Sequence, residues 1–417
     1  MNGFKYIGGE LYSEDVKVAE IAKEVGTPFY LYSSGALFNN YHEFEGAFSE
    51  LNPLVCYAYK ANSNLALCKV LAGAGCGADV VSEGELRKAL QVGVPPEKIV
   101  FNGNGKTLRE LNLALEHDIL MFNVDSDEEM VSLNSTAAEL RKKARISLRV
   151  NPDIDPKTHS HIATGLKESK FGFEISSAIE SYHIANELGN LEVAGIHIHI
   201  GSQITSLEPF MDALEKIAPL LTKLEETGIE LKYLNVGGGL GITYREEPPL
   251  LLSDYRQAIA SLVKATGLKI IFEPGRRLVG NAGILITQVL SLKETPHKKF
   301  VVVDVGMNDL IRPAFYDAYH EIKTVKDEAA ADGIVADVVG PLCECGDFLA
   351  KDREIPRVRG GDLLAIFSAG AYGFSMSSNY NSRCRAAEVL VKGDIFQVVR
   401  ERETYEDLIR GERFFEN

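Results

Sequence analysis

The sequence contains no run of roughly 18 consecutive apolar residues, the length that a membrane-spanning helix requires. Its first residues, MNGFKYIGGELYSEDV, lack the apolar core of a signal peptide. Cysteine is scarce, with 6 in 417 residues, and the spacing matches neither a disulfide framework nor a zinc site. We therefore expect no membrane-spanning segment, free thiols and a reducing compartment, the cytoplasm.

Positive charge is also in short supply, because 44 lysines and arginines face 59 aspartates and glutamates, for a formal net charge of -15. Electrostatic repulsion makes nucleic acids and anionic membranes poor partners for such a chain. The length exceeds the roughly 250–300 residues at which a single hydrophobic core stops growing, so we expect two domains.

Eight short apolar runs alternate with helix-like segments between residues 29 and 275. Segments such as EGELRKALQVG place apolar residues at three- and four-residue steps, which is typical of amphipathic helices. Eight such units predict an α/β fold, a closed (β/α)8 TIM-like barrel over residues 29–280, with an open doubly wound sheet as the alternative. The apolar runs are PLVCYAY (53–59), CGADVV (76–81), EKIVFNG (97–103), HDILMFNV (117–124), ARISLRV (144–150), EVAGIHIHI (192–200), LKYLNVGG (231–238) and LKIIFEPG (268–275).

After residue 280 the alternation of apolar runs with helix-like segments ends. Runs such as GILITQVLSLKE and KKFVVVDVG follow one another with little helix between them, which predicts a C-terminal antiparallel β-domain. The first 28 residues fit neither the alternating pattern of the barrel nor the β-rich pattern of the C-terminal part. We expect residues 1–28 and 281–417 to form one discontinuous β-rich domain.

The unusual residues stand at the ends of four of the predicted barrel strands. Active sites of such barrels form at the C-terminal ends of the strands, where loops after the seventh and eighth strands often hold phosphate. These residues are Lys60 after the first strand, His197, His199 and Ser202 after the sixth, Gly237, Gly238 and Gly239 after the seventh, and Glu273, Gly275 and Arg276 after the eighth.

These strand ends offer a candidate reactive amine and a candidate phosphate site. Lys60 at the mouth of a barrel could be a desolvated amine that forms a Schiff base, although an exposed loop lysine is the alternative. Backbone N–H groups of consecutive glycines can bind a phosphate, helped by the Ser202 hydroxyl and by Gly275. An ordinary turn is the alternative for the glycines.

His197 and His199 lie on the same face of their strand, because side chains alternate along a strand. No further ligands accompany them, so we expect no metal site; a ring stacked on a flat cofactor suits at least one of them. Glu273 could keep a pyridine nitrogen protonated, with a salt bridge to Arg276 or Arg277 as the alternative.

In the second domain, Cys343-Glu344-Cys345-Gly346-Asp347 follows a predicted strand. A pair of cysteines at this spacing invites a metal or redox interpretation, but no second pair completes a zinc site. Most isolated cysteines are buried and inert, so the loop alone would indicate little about function.

Together these motifs resemble those of the fold-type III decarboxylases that depend on pyridoxal 5′-phosphate (PLP), which include diaminopimelate, ornithine and arginine decarboxylases. The resemblance covers nearly the whole chain. The motifs that carry it are Tyr57-Ala58-Tyr59-Lys60-Ala61-Asn62, His199-Ile200-Gly201-Ser202-Gln203, Gly237-Gly238-Gly239 and Glu273-Pro274-Gly275-Arg276. The stretches Thr164-Gly165-Leu166-Lys167-Glu168-Ser169-Lys170-Phe171-Gly172 and Cys343-Glu344-Cys345-Gly346-Asp347 resemble diaminopimelate decarboxylases in particular.

The resemblance implies PLP as cofactor and conversion of meso-2,6-diaminopimelate, a small amino-acid substrate, to L-lysine and CO2. It implies that Lys60 binds PLP covalently, His199 stacks on the ring and Glu273 pairs with the ring nitrogen. The residues implied around the phosphate and the rest of PLP are Ser202, Gly238, Gly239, Gly275, Arg276 and Tyr372.

For the substrate, the resemblance implies that Arg276, Arg312 and Tyr316 hold the distal carboxylate. Glu344 would contact the distal ammonium, and Cys343 would be the acid that returns a proton to Cα, with Tyr372 lying nearby. In such enzymes Cys343 and Glu344 reach the site from the partner subunit, so a homodimer with shared sites is expected.

The sequence departs from the family pattern at two positions: Cys345 stands where serine is usual, and Cys384 where proline is usual. Decarboxylases of ornithine, arginine, carboxynorspermidine or a D-diamine acid are alternatives, although ornithine lacks a second carboxylate for Arg312. A non-catalytic regulatory homologue is a further alternative. Such a homologue would be expected to lose Lys60, the phosphate loops or Cys343.

Overall fold

The computed structural model describes residues 3–156, 164–165, 169–326 and 333–415. Leu166, Lys167 and Glu168, within one of the stretches that resemble the family, lie outside the described residues. The chain divides into two compact units. The barrel unit comprises Asn39–Thr243 and Glu247–Leu278, and the sheet unit comprises Met1–Phe38, Tyr244–Glu246 and Val279–Asn417.

The strands of the described residues, in chain order, are β1 (Phe4–Ile7), β2 (Glu10–Ser13), β3 (Val16–Lys17), β4 (Phe29–Ser33), β5 (Leu54–Ala58), β6 (Gly77–Val80), β7 (Ile99–Phe101), β8 (Met121–Val124), β9 (Ala144–Asn151), β10 (Phe173–Glu174), β11 (Leu191–His197), β12 (Tyr233–Asn235), β13 (Lys269–Phe272), β14 (Gly283–Glu294), β15 (Lys299–Val303), β16 (Ile322–Thr324), β17 (Gly333–Val339), β18 (Phe348–Pro356), β19 (Leu363–Ile366), β20 (Ala387–Lys392) and β21 (Ile395–Arg400). The α-helices are α1 (Val18–Val25), α2 (Ser34–Ala47), α3 (Leu65–Gly73), α4 (Glu83–Gln91), α5 (Leu108–Glu116), α6 (Asp127–Glu139), α7 (Ala178–Glu187), α8 (Glu208–Glu226), α9 (Leu252–Thr266), α10 (Arg276–Val279), α11 (Arg312–Tyr316) and α12 (Tyr405–Leu408). Among the described residues, no helix is both long enough and apolar enough to cross a bilayer.

In the barrel unit, eight parallel strands close on themselves in the order β5, β6, β7, β8, β9, β11, β12, β13 and back to β5. Each predicted apolar run overlaps one of these strands, so the predicted (β/α)8 barrel is confirmed. Buried apolar side chains near the N-terminal ends of several strands form one cluster, which includes Leu54, Met121 and Ile271. The polar residues of the motifs stand at the opposite, C-terminal ends.

Three helices of the barrel unit begin with a capping hydroxyl. The hydroxyls of Ser82, Thr107 and Ser126 each accept a hydrogen bond from the backbone N–H three residues further on, at the start of α4, α5 and α6. At α5, the Glu110 carboxylate also accepts the Thr107 N–H, which completes a capping box. These caps fix the turns that follow β6, β7 and β8.

The sheet unit contains a sheet in the order β18, β17, β15, β14, β4, β20, β21, with β19 pairing with both β14 and β16. Most neighbours are antiparallel, as predicted, but β15 with β17 and β4 with β20 are parallel pairs. Residues from the first 28, including Phe4, Leu11 and Ile21, lie in one apolar cluster with Ile284 and Val389 of this sheet.

The barrel was predicted to begin at residue 29, but the strand β4 belongs to the sheet unit. All five of its residues are buried, and it pairs with β14 and β20 of the sheet unit. A short, fully buried apolar run has the same pattern in a barrel and in the centre of a mixed sheet, so its sequence does not assign it to either.

Replacing Thr107 with alanine removes one cap and frees the N–H of Glu110. We expect this to lower the free energy of unfolding by about 1 kcal/mol, measured by urea titration. The matched control is Thr107→Ser, which keeps the hydroxyl and should remain close to the parent. An equal loss in both variants would contradict the role of the cap.

Candidate active site

Glu273, directly after β13, is a buried carboxylate surrounded by amide donors. Its Oε1 accepts hydrogen bonds from the Nδ2 atoms of Asn235 at 2.6 Å, Asn102 at 2.8 Å and Asn123 at 3.2 Å. Its Oε2 lies 3.3 Å from Nε2 of His197. The alternative of a salt bridge to Arg277 does not hold, because that guanidinium binds Glu43 at 3.0 Å.

The surroundings of Glu273 keep its carboxylate charged. Burial alone would raise the pKa of Glu273, but His197, the charge of Lys60 and the hydrogen bond from Asn235 outweigh it and hold this pKa well below its usual range. A fixed negative charge at this depth can face a cationic group, such as a protonated ring nitrogen.

Lys60 lies in a single 3-10 turn, Tyr59–Ala61, that follows β5. Its Nζ is 3.0 Å from Oδ2 of Asp79, a fully buried residue of β6. Burial raises the pKa of Asp79, and the negative charge of Glu273 adds to this rise, whereas Lys60 opposes it. The Nδ2 atom of Asn102 donates to Asp79 Oδ1 at 2.6 Å as well as to Glu273, and so links the two carboxylates.

His199 presents a neutral imidazole at the end of β11. The N–H of Gly238 donates to its Nδ1 at 3.2 Å, which requires that nitrogen to be unprotonated. Desolvation, followed by the positive charges of Lys60 and Arg149, holds the pKa of His199 well below its ordinary value. An uncharged flat ring of this kind can stack on an aromatic ligand.

The glycines after β12 form a cradle that side chains would fill. A Cβ on Gly238 would collide with the Glu273 carbonyl oxygen, and one on Gly239, whose φ is +102°, would lie 2.6 Å from the Gly201 carbonyl oxygen. Beside them, Nη2 of the buried Arg276 donates to Oγ of Ser202 at 3.1 Å. Backbone N–H groups, a hydroxyl and a guanidinium together suit an anion.

The loop of Gly275 approaches the loop of Lys60 closely. A Cβ on Gly275 would lie 3.1 Å from Cβ of Ala61 and 3.2 Å from Cβ of Ala58, and the Ala58 N–H donates to the Pro274 carbonyl at 3.1 Å. The barrel unit therefore brings together the eight strand-end residues that are predicted to contact the cofactor. These are Lys60, His199, Ser202, Gly238, Gly239, Glu273, Gly275 and Arg276.

Sequence inspection missed five residues of this site. Each is a polar residue at or near the C-terminal end of an apolar run, and this position is the signal that could have identified it. They are Asp79, Asn102, Asn123, Arg149 and Asn235. Within the described part of the chain, no three His, Cys, Asp or Glu side chains are grouped so that they could hold a metal ion.

In the sheet unit, Arg312 and Tyr316 stand on the short helix α11. Arg312 is buried, its Nη1 is 2.7 Å from Nε2 of His320, and its guanidinium lies 4.7 Å from the centre of the Tyr244 ring. Tyr316 is half-buried. Tyr372 is also half-buried and has a φ of +56°, a left-handed conformation that is uncommon for a bulky side chain.

The loop of Cys343 presents its thiol to solvent. Both Cys343 and Cys345 are exposed. The carboxylate of buried Asp347 anchors the loop by accepting the N–H groups of Leu342 at 2.7 Å and Met307 at 2.6 Å.

The neighbouring Glu344 is exposed as well. Its Oε2 accepts a hydrogen bond from the Tyr380 hydroxyl at 3.4 Å, and its Oε1 accepts the Gly346 N–H at 3.3 Å. The loop thus offers a thiol and a carboxylate side by side on the surface of the sheet unit.

The fold and the barrel site define the class of protein: a (β/α)8-barrel protein with an anion cradle beside a buried carboxylate and an amine. Residues 35–280 match the family described as pyridoxal-dependent decarboxylase, pyridoxal binding domain. Diaminopimelate decarboxylase from Aquifex aeolicus is 51% identical over 97% of this chain and 96% of its own length.

Two solved structures give the same result. Diaminopimelate decarboxylase from Helicobacter pylori, complexed with L-lysine, is 44% identical, with a TM-score of 0.91 over 94% of this chain and 98% of its own. Its counterpart from M. jannaschii, in co-complex with L-lysine, is 42% identical, with a TM-score of 0.94 over 99% of this chain and 98% of its own. The chain therefore belongs to the pyridoxal-dependent decarboxylases, in their diaminopimelate decarboxylase family.

The protonation state of His199 can be read directly by NMR of protein labelled with ¹⁵N-histidine. Because its pKa is held below the ordinary value of about 6.5, the ring should stay neutral, with the proton on Nε2, as pH falls through 6.5. The His199→Gln variant assigns the signal. A titration midpoint near 6.5, or a proton on Nδ1, would refute this description of the site.

Proposed function

We propose that this protein decarboxylates meso-2,6-diaminopimelate to L-lysine and CO2 with PLP as its cofactor. The observation that carries the proposal is the cluster of Lys60, His199 and Glu273 beside the glycine cradle. This cluster occurs in a chain that is 51% identical, over nearly its full length, to a diaminopimelate decarboxylase.

The residues of the barrel unit fit each part of PLP. The aldehyde requires a primary amine, which Lys60 supplies, and the phosphate requires donors such as those of Ser202 and Arg276. The flat ring suits the neutral imidazole of His199. At Gly238 and Gly239 a Cβ would collide with neighbouring backbone carbonyls, so these positions require glycine, which fits a loop whose backbone approaches the phosphate.

Bound PLP supplies an electron sink that accepts the electron pair released when CO2 leaves. The ionised Glu273 supports this chemistry, because a negative charge beside the ring nitrogen keeps that nitrogen protonated. Asp79 holds the Lys60 amine at the barrel mouth through the contact of 3.0 Å. The neutral His199 adds no positive charge over the ring.

Residues of the sheet unit, together with Arg276, are assigned to the substrate. Arg276, Arg312 and Tyr316 hold the distal carboxylate, since planar guanidinium groups bind carboxylates with two parallel hydrogen bonds. Glu344 contacts the distal ammonium. Ornithine and the other basic alternatives have no distal carboxylate for these guanidinium groups to bind.

Cys343 is assigned as the acid that returns a proton to Cα after CO2 has left. Its exposure, and that of Glu344, fits a loop donated to the active site of a second subunit, so a homodimer with shared sites is part of the proposal. Tyr372 is assigned to the face of PLP. Its left-handed backbone supports this role, because uncommon backbone conformations cluster at functional sites.

A cytoplasmic location completes the proposal. All six cysteines fall within the described residues, and all are free thiols, which suits a reducing compartment. A non-catalytic homologue would be expected to lose part of the chemical set. Lys60, Glu273, Arg276 and Cys343 are all present, which favours a working enzyme.

The direct test is CO2 release by purified, PLP-loaded protein from meso-diaminopimelate, with L-ornithine, L-arginine and L-lysine alongside. We expect release from diaminopimelate alone, with L-lysine as the product. The Lys60→Ala variant should lose both the activity and the visible absorbance of bound PLP. Release only from another amino acid would overturn the substrate, and full activity of Lys60→Ala would overturn the mechanism.

Replacing Cys343 with serine should lower kcat by about 100-fold, because a poorly acidic hydroxyl replaces the proton donor. The visible absorbance of bound PLP should remain. Cys345→Ser is the matched control: the second exposed thiol of the same loop has no assigned role, and this change restores the residue usual in the family. Similar rates for both variants would remove Cys343 from its role as acid.

A further inference from the structure

His320 is a fully buried histidine between α11 and β16, and both of its ring nitrogens have polar neighbours. Its Nε2 is 2.7 Å from Nη1 of Arg312, and its Nδ1 is 2.8 Å from the carbonyl oxygen of Phe367. Neither the sequence motifs nor the roles assigned above include this residue.

These two neighbours determine the protonation of the ring. A guanidinium can only donate hydrogen bonds, so Nε2 of His320 must carry a lone pair that accepts from Arg312. A carbonyl oxygen can only accept, so Nδ1 must carry the proton that it donates to Phe367. His320 is therefore a neutral imidazole in a single tautomer.

The imidazole of His320 is held by a backbone carbonyl at the end of a sheet strand. Phe367 directly follows β19, and its N–H donates to the Glu321 carbonyl at 2.8 Å, next to the antiparallel pair of β16 and β19. The backbone carbonyl of His320 also accepts a hydrogen bond from Nη1 of Arg353 at 2.8 Å. The ring is thus held from both the backbone and Nδ1, and its lone pair points at Arg312.

Tyr244 restrains the same guanidinium from a second direction. Arg312 lies over the face of the Tyr244 ring at 4.7 Å, and this ring meets that of His320 edge-on, with centroids 5.4 Å apart and an interplanar angle of 81°. The hydrogen bond to His320 fixes the edge of the Arg312 guanidinium, and the Tyr244 ring fixes its face. An arginine held in this way loses little conformational entropy when it binds an anion.

We propose that His320 is a positioning residue: as a neutral acceptor it orients the Arg312 guanidinium and thereby sets the affinity of the enzyme for the distal carboxylate of its substrate. The inference rests on the proposed function, in which Arg312 binds that carboxylate. The bond to His320 uses one of the five N–H donors of the guanidinium, and a bidentate contact to a carboxylate uses two.

The primary test is the His320→Leu variant of the PLP-loaded enzyme, assayed with meso-diaminopimelate. We expect KM to rise by about 10-fold or more, the loss expected when a hydrogen bond to a charged group is removed, while kcat changes by less than about 3-fold. His320→Gln is the conservative control. Its amide offers an acceptor to Arg312 and a donor to Phe367, so KM should return toward that of the parent.

Calorimetric binding of two product-like probes separates positioning from general damage. L-Lysine keeps the carboxylate that is not lost in the reaction, whereas cadaverine (1,5-diaminopentane) has the same two amines and no carboxylate. His320→Leu should weaken L-lysine binding by a factor similar to the rise in KM and leave cadaverine binding unchanged. Equal weakening of both probes, or a fall in kcat at constant KM, would overturn the proposal.

A double variant tests whether His320 acts through Arg312. Arg312→Lys should raise KM by itself, and adding His320→Leu to it should change KM little further; multiplied effects would overturn the proposal. If His320→Leu does not fold, Tyr244→Leu tests the same restraint with Tyr244→Phe as its control, and unchanged L-lysine binding would count against it. A parent enzyme that releases no CO2 from diaminopimelate would overturn the proposed function instead.

Discussion

The carboxylate of Glu273 carries its charge inside the barrel, and much of the site follows from how that charge is stabilised. An isolated buried carboxylate would take up a proton, since leaving water disfavours the charged form. Here three amide donors share Oε1, and His197 lies 3.3 Å from Oε2. The donors come from β8, from the end of β12 and from the residue after β7, so only a closed barrel brings them together.

The same charge organises its neighbours. Its field helps to raise the pKa of Asp79, which in turn holds the Lys60 amine, and the amide of Asn102 binds both carboxylates at once. His199 responds in the opposite sense, because desolvation and the nearby cations keep its ring neutral despite the negative charge of Glu273. The mouth of the barrel therefore contains both buried carboxylates, which can bind cations, and the uncharged imidazole of His199, on which a flat ligand can stack.

Much of this arrangement could be predicted from the sequence, because barrel strands are buried on both sides and appear as separate apolar runs. The predicted site residues of the barrel came from strand ends, where the fold itself dictates convergence. Asn102, Asn123 and Asn235 escaped notice because asparagine is also an ordinary turn residue. The placement of β4 depended on its pairing partners, β14 and β20, which are more than 200 residues away along the chain. The residues of β4 alone therefore could not reveal these pairing partners.

His320 illustrates a further limit of sequence inspection. It also resembles His199 in being a neutral imidazole beside a cation. Its meaning depends on three distant groups, Arg312, Phe367 and Tyr244, and a lone histidine reveals none of them. Both His199 and His320 are neutral beside cations, but by different means: a low-dielectric environment in one case, and a donor and an acceptor of fixed chemistry in the other. A protonated ring at either place would repel the cations beside it. Neutrality of the imidazole is thus a requirement of its position in both cases.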